Sequence, residues 1–179
     1  MHQDCEKILL TEEQIQRRVQ QIADRLNREY AGKNPLVIGI LKGSVVFYSD
    51  LIRKLEMPIE LDFMAVSSYG AGTTSSGFLK IKKDLDKNVE GRDVIIVEDI
   101  IDSGYTLAKL KKLLYARHPA SVKIVVLLDK FERRAVAIEP DYSCFDIEDE
   151  FVIGYGLDYN EQYRNLPYIG ILKRCVYEH

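Results

Sequence analysis

The chain has 179 residues, which is the length of one ordinary domain. Its 25 Lys and Arg residues against 28 Asp and Glu residues give a net charge of −3, so a globally basic nucleic-acid-binding protein is excluded. Hydrophobic residues make up 46% of the chain and charged residues 30%, a composition that argues against intrinsic disorder. We therefore expect one folded domain over residues 1–179.

The apolar runs and the cysteines indicate the cellular compartment of the protein. The longest apolar runs, 36–41 and 124–128, are far shorter than the ~20 residues that a membrane span needs. Cys5, Cys144 and Cys175 are an odd number of widely separated thiols, which favours a reducing compartment over a disulfide framework. The N-terminal segment is acidic where a signal peptide is basic. We expect a cytoplasmic protein with neither a membrane nor a nucleic acid as partner.

The first elements alternate between a helix pattern and a strand pattern. Thr11 followed by Gln14 fits a capping box, and apolar residues then recur at helical spacing. The continuously apolar segment 36–41 is typical of a strand buried on both faces, as in parallel sheets. A helix over 45–55 follows, with Ser44 as its predicted cap.

A second series of strands and helices surrounds a long polar loop. The patterns predict strands at 59–66, 79–82, 94–97 and 122–128, a helix at 106–116, and short strand-like pieces at 151–154 and 169–172. The segment 67–77 is small, polar and glycine-rich, which is typical of a functional loop. Buried strands that alternate with helices predict an α/β fold with a central, mostly parallel sheet flanked by helices.

The most informative segment is 94–106, VIIVEDIIDSGYT, in which a buried strand gives way to acidic residues and then to a helix. Ligands of open α/β sheets bind beyond the carboxyl ends of the strands, which is where this pattern places Glu98, Asp99 and Asp102. The segment 103–106 opens a helix, whose free N–H groups and dipole favour an anion. Carboxylates beside an anion site suit sugar hydroxyls and a divalent cation, so the pattern predicts a sugar phosphate bound with a metal.

Other signatures are missing or incomplete in this sequence. The chain contains neither GxGxxG after a strand, nor GxxxxGK[ST], nor GxSxG. Residues 84–95 begin like a calcium loop, but Val89 occupies its glycine position and Ile95 its closing glutamate position. The alternative for 94–106 is a plain strand-to-helix turn whose acids serve only capping and solubility.

The segment VEDIIDSGYT resembles the phosphoribosyl pyrophosphate signature of the type I phosphoribosyltransferases. The chain also resembles the hypoxanthine-guanine enzymes of that family in four further segments: LKGS at 41–44, SSYG at 67–70, LLDK at 127–130 and FVIGYGLDYNEQYRNLP at 151–167. The resemblance implies a small hood formed by the N- and C-terminal segments. It also implies a homodimer or homotetramer.

The activity implied by the resemblance is purine salvage. The phosphoribosyl group of phosphoribosyl pyrophosphate would move to hypoxanthine or guanine through an oxocarbenium-like transition state, with Mg²⁺ as cofactor. The products would be IMP or GMP and pyrophosphate. The enzyme would therefore be a pentosyltransferase that acts on 6-oxopurines.

The resemblance implies a role for each residue of the signature. Glu98 and Asp99 would hold the ribose hydroxyls and Mg²⁺, and Asp158 would lie near a second Mg²⁺. Asp102 would take the proton that purine N7 loses, because a carboxylate within reach is suited to that transfer. The 5′-phosphate would be bound by Asp102, Ser103, Gly104, Tyr105 and Thr106.

Residues outside the signature are implied in the rest of the site. Lys42 and the small Gly43 would bind pyrophosphate together with Arg164, whose guanidinium suits a bidentate contact. Lys130 would donate to the purine 6-oxo group, a contact that rejects a 6-amino purine. The purine would also contact Phe151, Val152 and Asp158.

The resemblance also implies a lid, and the sequence departs from the family pattern at one position. Ser68 and Tyr69 would belong to a flexible lid that excludes water from the reacting centre. Phe131 stands where bacterial relatives often have proline, and it could alter the turn that aims Lys130. The amine of Lys130 is nevertheless retained.

Two other functions stay open at this point. A regulator on the same fold would bind nucleotides and RNA or DNA, with a basic surface and an incomplete catalytic set. This chain is acidic and keeps Lys42, Asp102 and Lys130. An enzyme for adenine or a pyrimidine would not be expected to carry Lys130 with the pattern at 151–164. The order of preference between hypoxanthine and guanine also stays open.

Overall fold

The computed structural model describes residues 1–68 and 79–178. The strands are β1 (Cys5–Leu10), β2 (Leu36–Leu41), β3 (Glu60–Ser68), β4 (Leu79–Lys83), β5 (Asp93–Ile101), β6 (Ser121–Asp129), β7 (Tyr142–Asp146), β8 (Val152–Ile153) and β9 (Ile169–Leu172). The helices are α1 (Glu12–Glu29), α2 (Val45–Ile52), α3 (Tyr105–Tyr115) and α4 (Arg174–Tyr177), with a 3-10 turn at Phe131–Arg133. The predicted lid residue Tyr69 lies outside the described residues, and Ser68 is the last residue of β3.

The larger sheet confirms the predicted α/β fold. Within the described residues its strand order is β4-β3-β2-β5-β6-β7. All neighbouring pairs from β3 to β7 are parallel, and only β4 runs antiparallel to its neighbour. Leu36 of β2, for example, pairs with Glu60 on one side and Val94 on the other. The carboxyl ends of the parallel strands therefore meet at one edge of the sheet.

Helices cover both faces of this sheet because its strands are apolar on both sides. Successive strand residues point to opposite faces. Val37 and Ile95 belong to a core that they share with α1 and α2, whereas Ile38 and Ile96 belong to a second core beneath α3. Since each fully buried aliphatic side chain contributes about 1.5–3 kcal/mol, the two cores fix the sheet between its helices.

The predicted hood is a second sheet with the order β1-β9-β8, in which β9 is antiparallel to both neighbours. Cys5 of β1 pairs with Leu172 of β9, and Val152 of β8 pairs with Ile171. The sequence patterns do not predict β1, because its polar alternation is weak and its partner strand lies at the other end of the chain. The hood thus joins the two termini, as the family resemblance implied.

Strand β7 is also missed by the sequence patterns, because the segment YSCFD is short and partly polar. Arg18 of α1 binds it along the strand: Nε donates to the carbonyl of Cys144 at 2.7 Å and Nη2 to that of Ser143 at 3.0 Å. The hydroxyl of Tyr142 donates to the carboxylate of Glu29 on the same helix. An edge strand exposes unpaired backbone groups, and these contacts cover part of them.

The helix ends confirm the predicted cap of α1 in full and that of α2 only in its position. The capping box of α1 is confirmed, since Thr11 Oγ1 accepts from the N–H of Gln14 at 3.3 Å and Gln14 Oε1 accepts from the N–H of Thr11 at 2.8 Å. Ser44 occupies the N-cap position of α2 as predicted, but its side chain does not cap the helix. Its buried hydroxyl instead donates to the carbonyl of Ile40 at 2.6 Å, which ties the loop back to β2.

Helix α2 ends at Ile52, earlier than the predicted residue 55. The side chain of Asn27 on α1 explains the difference, because it forms hydrogen bonds with a backbone carbonyl and a backbone N–H of the segment that follows α2. Its Nδ2 donates to the carbonyl of Lys54 at 3.0 Å, and its Oδ1 accepts from the N–H of Glu56 at 2.8 Å. Among the helices in the described ranges, none is both long and apolar enough to cross a membrane.

Candidate active site

Strand β5 runs past its predicted end at residue 97 and continues to Ile101. The expectation that Glu98 and Asp99 follow this strand is therefore wrong, because both lie within it. Pairing with β6 extends the strand, since Glu98 is opposite Val126 and Ile101 is opposite Asp129. Of the three predicted acids, only Asp102 follows the strand. The sheet itself, rather than a loop, thus sets the positions of the other two carboxylates.

A small cavity of about 110 Å³ lies where β5 passes into α3. It is lined by Glu98, Ile100, Ile101, Asp102, Ser103, Gly104, Thr106 and Leu107. Gly104 precedes the helix in the left-handed region, with φ +84°, and an added Cβ would lie 2.7 Å from a side-chain carbon of Ile138. The first N–H groups of a helix have no partner within it, so they can donate into this cavity. Tyr105, which is also predicted to bind the phosphate, is not among the residues that line this cavity, and its ring is half exposed.

A second cavity, of about 230 Å³, brings together the residues predicted to bind a purine. It is lined by Asp99, Ile100, Lys130, Phe151, Val152, Leu157 and Asp158. Sequence analysis missed Ile100 and Leu157. Ile100 lies inside the acidic motif, where alternation along a strand could have indicated that it faces the same side as one of the acids. The cavity is therefore built by the ends of β5 and β6 together with the hood.

Lys130 and Asp102 come from neighbouring strand ends and are linked by two other side chains. The N–H of Lys130 donates to the carbonyl of Ile101 at 2.9 Å, and its Nζ lies 3.4 Å from Asp149 Oδ1. Arg133 spans the gap, with Nε 2.6 Å from Asp102 Oδ1 and Nη1 2.9 Å from Asp149 Oδ2. Arg133 lowers the pKa of Asp149, which stays a charged partner for Lys130. Sequence analysis missed Arg133 and Asp149, which only the fold brings to this place.

The ring of Phe151 is held by two other aromatic rings. The ring of Tyr177 from α4 stacks against it at a centroid distance of 4.8 Å and an interplanar angle of 23°. The ring of Tyr159 meets it edge-on at 5.5 Å. Such arrangements are favourable for aromatic pairs and fix the ring that lines the cavity. The C-terminal segment, through Tyr177, therefore supports the ring that is predicted to contact the base.

Gly43, predicted to allow close approach of a ligand, is approached by another part of the protein. A Cβ at this position would lie 1.6 Å from Asp99 Oδ2, so the carboxylate occupies the space of the missing side chain. Gly156 of the hood makes a similar contact, since its Cβ would lie 2.1 Å from the carbonyl oxygen of Gly43. The two glycines therefore let β5, the loop after β2 and the hood meet closely.

The two predicted pyrophosphate cations, Lys42 and Arg164, share an acidic partner. Lys42 Nζ lies 2.7 Å from Glu161 Oε2, and Arg164 Nη2 lies 3.4 Å from Glu161 Oε1. Arg164 Nη2 also contacts Asp158 Oδ1 at 2.9 Å, and its Nη1 donates to the carbonyl of Gly156 at 2.8 Å. Sequence analysis missed Glu161. The fold thus brings both cations to one place and holds them on carboxylates.

Glu98 and Asp99 are two neighbouring carboxylates in a poorly solvated place. Burial, followed by the charge of Asp99, raises the pKa of Glu98, and burial raises the pKa of Asp99 as well. A cation at this place would relieve that repulsion. Within the described residues, no group of three or more His, Cys, Asp or Glu side chains is arranged to hold a metal ion by itself. Asp158, the third predicted metal residue, is paired with Arg164 instead.

Comparison with known proteins gives a consistent result. A family model described as "Phosphoribosyl transferase domain" matches residues 7–160. The chain is 52% identical over 177 residues to a Streptococcus thermophilus protein named hypoxanthine-guanine phosphoribosyltransferase, covering 99% of this chain and 98% of that protein. It is 55% identical to a Listeria innocua protein named bifunctional protein TilS/HprT, of which it spans only 27% while 99% of this chain is covered.

Structural comparison agrees with the sequence matches. The fold is similar to the crystal structure of a hypoxanthine phosphoribosyltransferase from Staphylococcus aureus, with a TM-score of 0.97. The two chains are 50% identical, and the match covers 100% of this chain and 97% of the other. A second crystal form of the same protein matches with a TM-score of 0.93.

The contact between Gly156 and Gly43 generates a stability prediction. We expect Gly156→Ala to lower the free energy of unfolding by about 3 kcal/mol or more, because the new carbon meets a backbone atom and φ is +100°. Gly91→Ala is the matched control, since Gly91 also has a positive φ but, among the described residues, nothing within 4 Å of an added Cβ. Urea denaturation measures both. Equal losses in the two variants would contradict the proposed contact.

The raised pKa of Glu98 generates a prediction about pH. A carboxyl whose pKa is raised in the folded state holds its proton more tightly there than in the unfolded chain. It therefore lowers the free energy of unfolding as the pH rises above 4.5, the ordinary pKa of a glutamate. Glu98→Gln cannot ionise, so its stability relative to the wild type should grow from pH 4.5 towards neutrality. Urea denaturation at a series of pH values, without divalent cations, measures this. Exposed Glu90→Gln is the control, and an equal gain in that variant would refute a specific effect of burial.

Proposed function

The chain belongs to the phosphoribosyltransferase family, and on that basis we propose that it transfers the 5-phosphoribosyl group of phosphoribosyl pyrophosphate to hypoxanthine and guanine. The products are IMP or GMP and pyrophosphate, so the reaction serves purine salvage. The observation that carries the proposal is the cavity shared by Asp99, Lys130, Phe151 and Asp158. It lies beside the helix-opening cavity that suits a phosphate.

Recognition of the purine rests on Lys130 and Phe151. The ammonium of Lys130 has three donors and no acceptor, so it favours a 6-oxo group and disfavours the amino group of adenine. To reach the purine, it exchanges its exposed partner Asp149 for the oxo group. Phe151 supplies a flat apolar face, and Val152 supplies backbone groups at the edge of the base.

Asp102 is the residue that we assign to proton transfer. As a ring nitrogen of the purine bonds to ribose C1, the bond from C1 to the pyrophosphate oxygen breaks and the N7 proton moves to the Asp102 carboxylate. That carboxylate is partly exposed and bound to Arg133 at 2.6 Å, so it is accessible to a bound base. The carbocation-like character of C1 in this step requires that water be kept out, which is the proposed role of the lid at Ser68 and Tyr69.

The 5′-phosphate and the pyrophosphate group of the substrate are assigned to different places. The 5′-phosphate is assigned to the loop Asp102, Ser103, Gly104, Tyr105 and Thr106, where the free N–H groups of α3 converge. Pyrophosphate is assigned to the backbone around Gly43 and to Lys42 and Arg164. Phosphate oxygens there replace the carboxylate oxygens of Glu161, which hold the two cations in the free protein.

The donor chemistry fits Mg²⁺ at the end of β5. Mg²⁺ prefers oxygen ligands and is commonly held by one or two carboxylates together with substrate phosphates, so a full cluster of protein ligands is not required. Glu98 and Asp99 are such a pair, and burial raises the pKa of both carboxyl groups, so a cation beside them would favour their charged forms. When bound, the ion neutralises the charge that develops on the departing pyrophosphate. Asp158 would bind the ion only after its ion pair with Arg164 is broken.

The remaining parts of the proposal concern assembly and location. Following the family resemblance, we propose a homodimer or homotetramer. Exposed apolar side chains, including Val45, Leu61 and Phe131, are compatible with subunit contacts. In the described part of the chain, the three cysteines are free thiols, which supports a reducing compartment such as the cytoplasm.

A steady-state assay with hypoxanthine, guanine, xanthine and adenine, each with and without Mg²⁺, tests the proposed function. We expect phosphoribosyl transfer to hypoxanthine and guanine, strong dependence on Mg²⁺, and no reaction with adenine. Activity with adenine but not with 6-oxopurines would contradict the role of Lys130. No activity on any purine would favour a regulator on this fold, which nucleotide-binding measurements would then identify.

The assignment of Asp102 leads to a kinetic prediction. We expect Asp102→Asn to lower kcat by roughly 10²–10⁴-fold, because the amide cannot accept the N7 proton. The variant should stay folded, since its side chain is partly exposed and keeps an oxygen for Arg133. Asp24→Asn, on the exposed face of α1, is the control. An unchanged kcat in Asp102→Asn would refute the assigned role.

The assignment of Lys130 predicts a selective loss of purine binding. We expect Lys130→Met to raise the KM for hypoxanthine about 10- to 100-fold, as expected for losing a hydrogen bond from a charged donor. The KM for phosphoribosyl pyrophosphate should change less than about twofold. Lys123→Met is the matched control, because Lys123 lies on β6, the strand that Lys130 follows, but pairs with Asp141. Equal changes in both KM values would contradict the assignment.

A further inference from the structure

We propose that Tyr155, through its hydrogen bond to Asp50, is a positioning residue that holds the hood at the correct distance from the pyrophosphate loop. The proposal rests on the proposed function, because it concerns the same site. It adds two side chains that neither the sequence motifs nor the substrate contacts assign. Neither residue lines the two cavities described above, so both act through other residues.

Asp50 lies at the meeting point of three elements. The hydroxyl of Tyr155, from the hood, donates to Asp50 Oδ2 at 2.6 Å. Gln16 Nε2, from α1, donates to the same oxygen at 2.5 Å, and Arg53 donates to the other oxygen. Tyr155 is buried and Asp50 is half-buried. One carboxylate therefore ties together α1, α2 and the hood.

The backbone around Tyr155 needs such an anchor. Gly154, Tyr155 and Gly156 have φ values of +96°, +50° and +100°, so three successive residues lie in the left-handed region. For a residue with a side chain this conformation is unfavourable and persists only where the surroundings enforce it. The backbone N–H of Tyr155 donates to the carbonyl of Leu166 at 2.8 Å. At the end of its side chain, the hydroxyl of Tyr155 is held by the hydrogen bond to Asp50.

The position of Tyr155 sets the position of the next residue, Gly156. Gly156 packs against the carbonyl oxygen of Gly43, and its own carbonyl accepts from Arg164 Nη1 at 2.8 Å. Asp50 belongs to α2, the helix that begins directly after the pyrophosphate loop. The Asp50–Tyr155 hydrogen bond thus connects the segment that carries Gly43 to the segment that carries Arg164. It sets the spacing of the two halves of the pyrophosphate site.

Both partners are held in the ionisation states that this hydrogen bond needs. Burial, followed by the hydrogen bond to Asp50, raises the pKa of Tyr155, so the phenol remains a donor. Burial alone would raise the pKa of Asp50, but the hydrogen bonds from Tyr155, Gln16 and Arg53 outweigh it and lower that pKa. The bond therefore persists across the neutral pH range.

A purely structural role would give a different result from a positioning role, and the chain offers a matched control. Like Tyr155, Tyr142 donates a hydrogen bond from its hydroxyl to a carboxylate, in this case that of Glu29 on α1. This second tyrosine lies on the edge strand β7, away from the pyrophosphate site. Tyr142→Phe therefore removes the same kind of bond, whereas Tyr155→Phe removes one that acts on the site.

The test compares Tyr155→Phe, Tyr142→Phe, Asp50→Ala and Asp50→Asn in kinetic and binding measurements. We expect Tyr155→Phe and Asp50→Ala to raise the KM for phosphoribosyl pyrophosphate about tenfold, with the KM for hypoxanthine within twofold of the wild type. Asp50→Asn keeps an acceptor oxygen for Tyr155 and should restore near-normal KM, since the exposed Arg53 can turn away. Tyr142→Phe should lower stability without changing either KM.

Calorimetric titration with inorganic pyrophosphate and Mg²⁺ provides a readout that does not depend on catalysis. Tyr155→Phe should weaken pyrophosphate binding about tenfold, and Tyr142→Phe should not. Weaker thermal stability of Tyr155→Phe with unchanged pyrophosphate binding would overturn the proposal, as would equal effects of the two tyrosine variants. A wild type that binds pyrophosphate but converts no purine would refute the proposed function alone.

Discussion

Three segments of the chain meet at Gly43, where the structure has no room for one additional carbon atom. The carboxylate of Asp99 fills the space beside Gly43 on one side, and Gly156 lies against its carbonyl oxygen on the other. Because close-packed atoms resist displacement steeply, this contact fixes the end of β5, the loop before α2 and the hood relative to one another. The proposed binding places for phosphate, base and pyrophosphate depend on these relative positions.

The charged side chains of the site are paired with one another, and a charged ligand can replace one partner of a pair. The predicted basic ligands Lys42, Lys130 and Arg164 are all paired with carboxylates in the free protein. Both side chains of the Lys42–Glu161 pair are exposed, and such pairs contribute little to stability, so an anionic substrate can replace that carboxylate at small cost. Glu98 and Asp99 differ, because both carboxyl groups are partly buried, which raises their pKa values and favours a cation beside them. In the proposed function, this mildly acidic chain binds its highly anionic substrate through backbone N–H groups and Mg²⁺.

Fixed and exchangeable contacts are separated in space. The chain from Asp102 through Arg133 and Asp149 to Lys130 consists largely of exposed ion pairs that a bound base can rearrange. The bond between Asp50 and Tyr155 is shielded from solvent and lies behind the site. A site of this kind combines a rigid frame, which sets distances, with charged groups that stay free to change partners.

The sequence by itself determined the local features, namely the capping box at Thr11, the apolar strand at 36–41, and an acidic motif between a buried strand and a helix. These follow from periodicity and neighbouring residues, so they need no knowledge of distant contacts. Tertiary structure decided that Glu98 and Asp99 lie inside β5, that β1 and β7 form at all, and that Glu161 pairs with both Lys42 and Arg164. Each of these depends on pairing between residues far apart in sequence, which a local pattern does not contain.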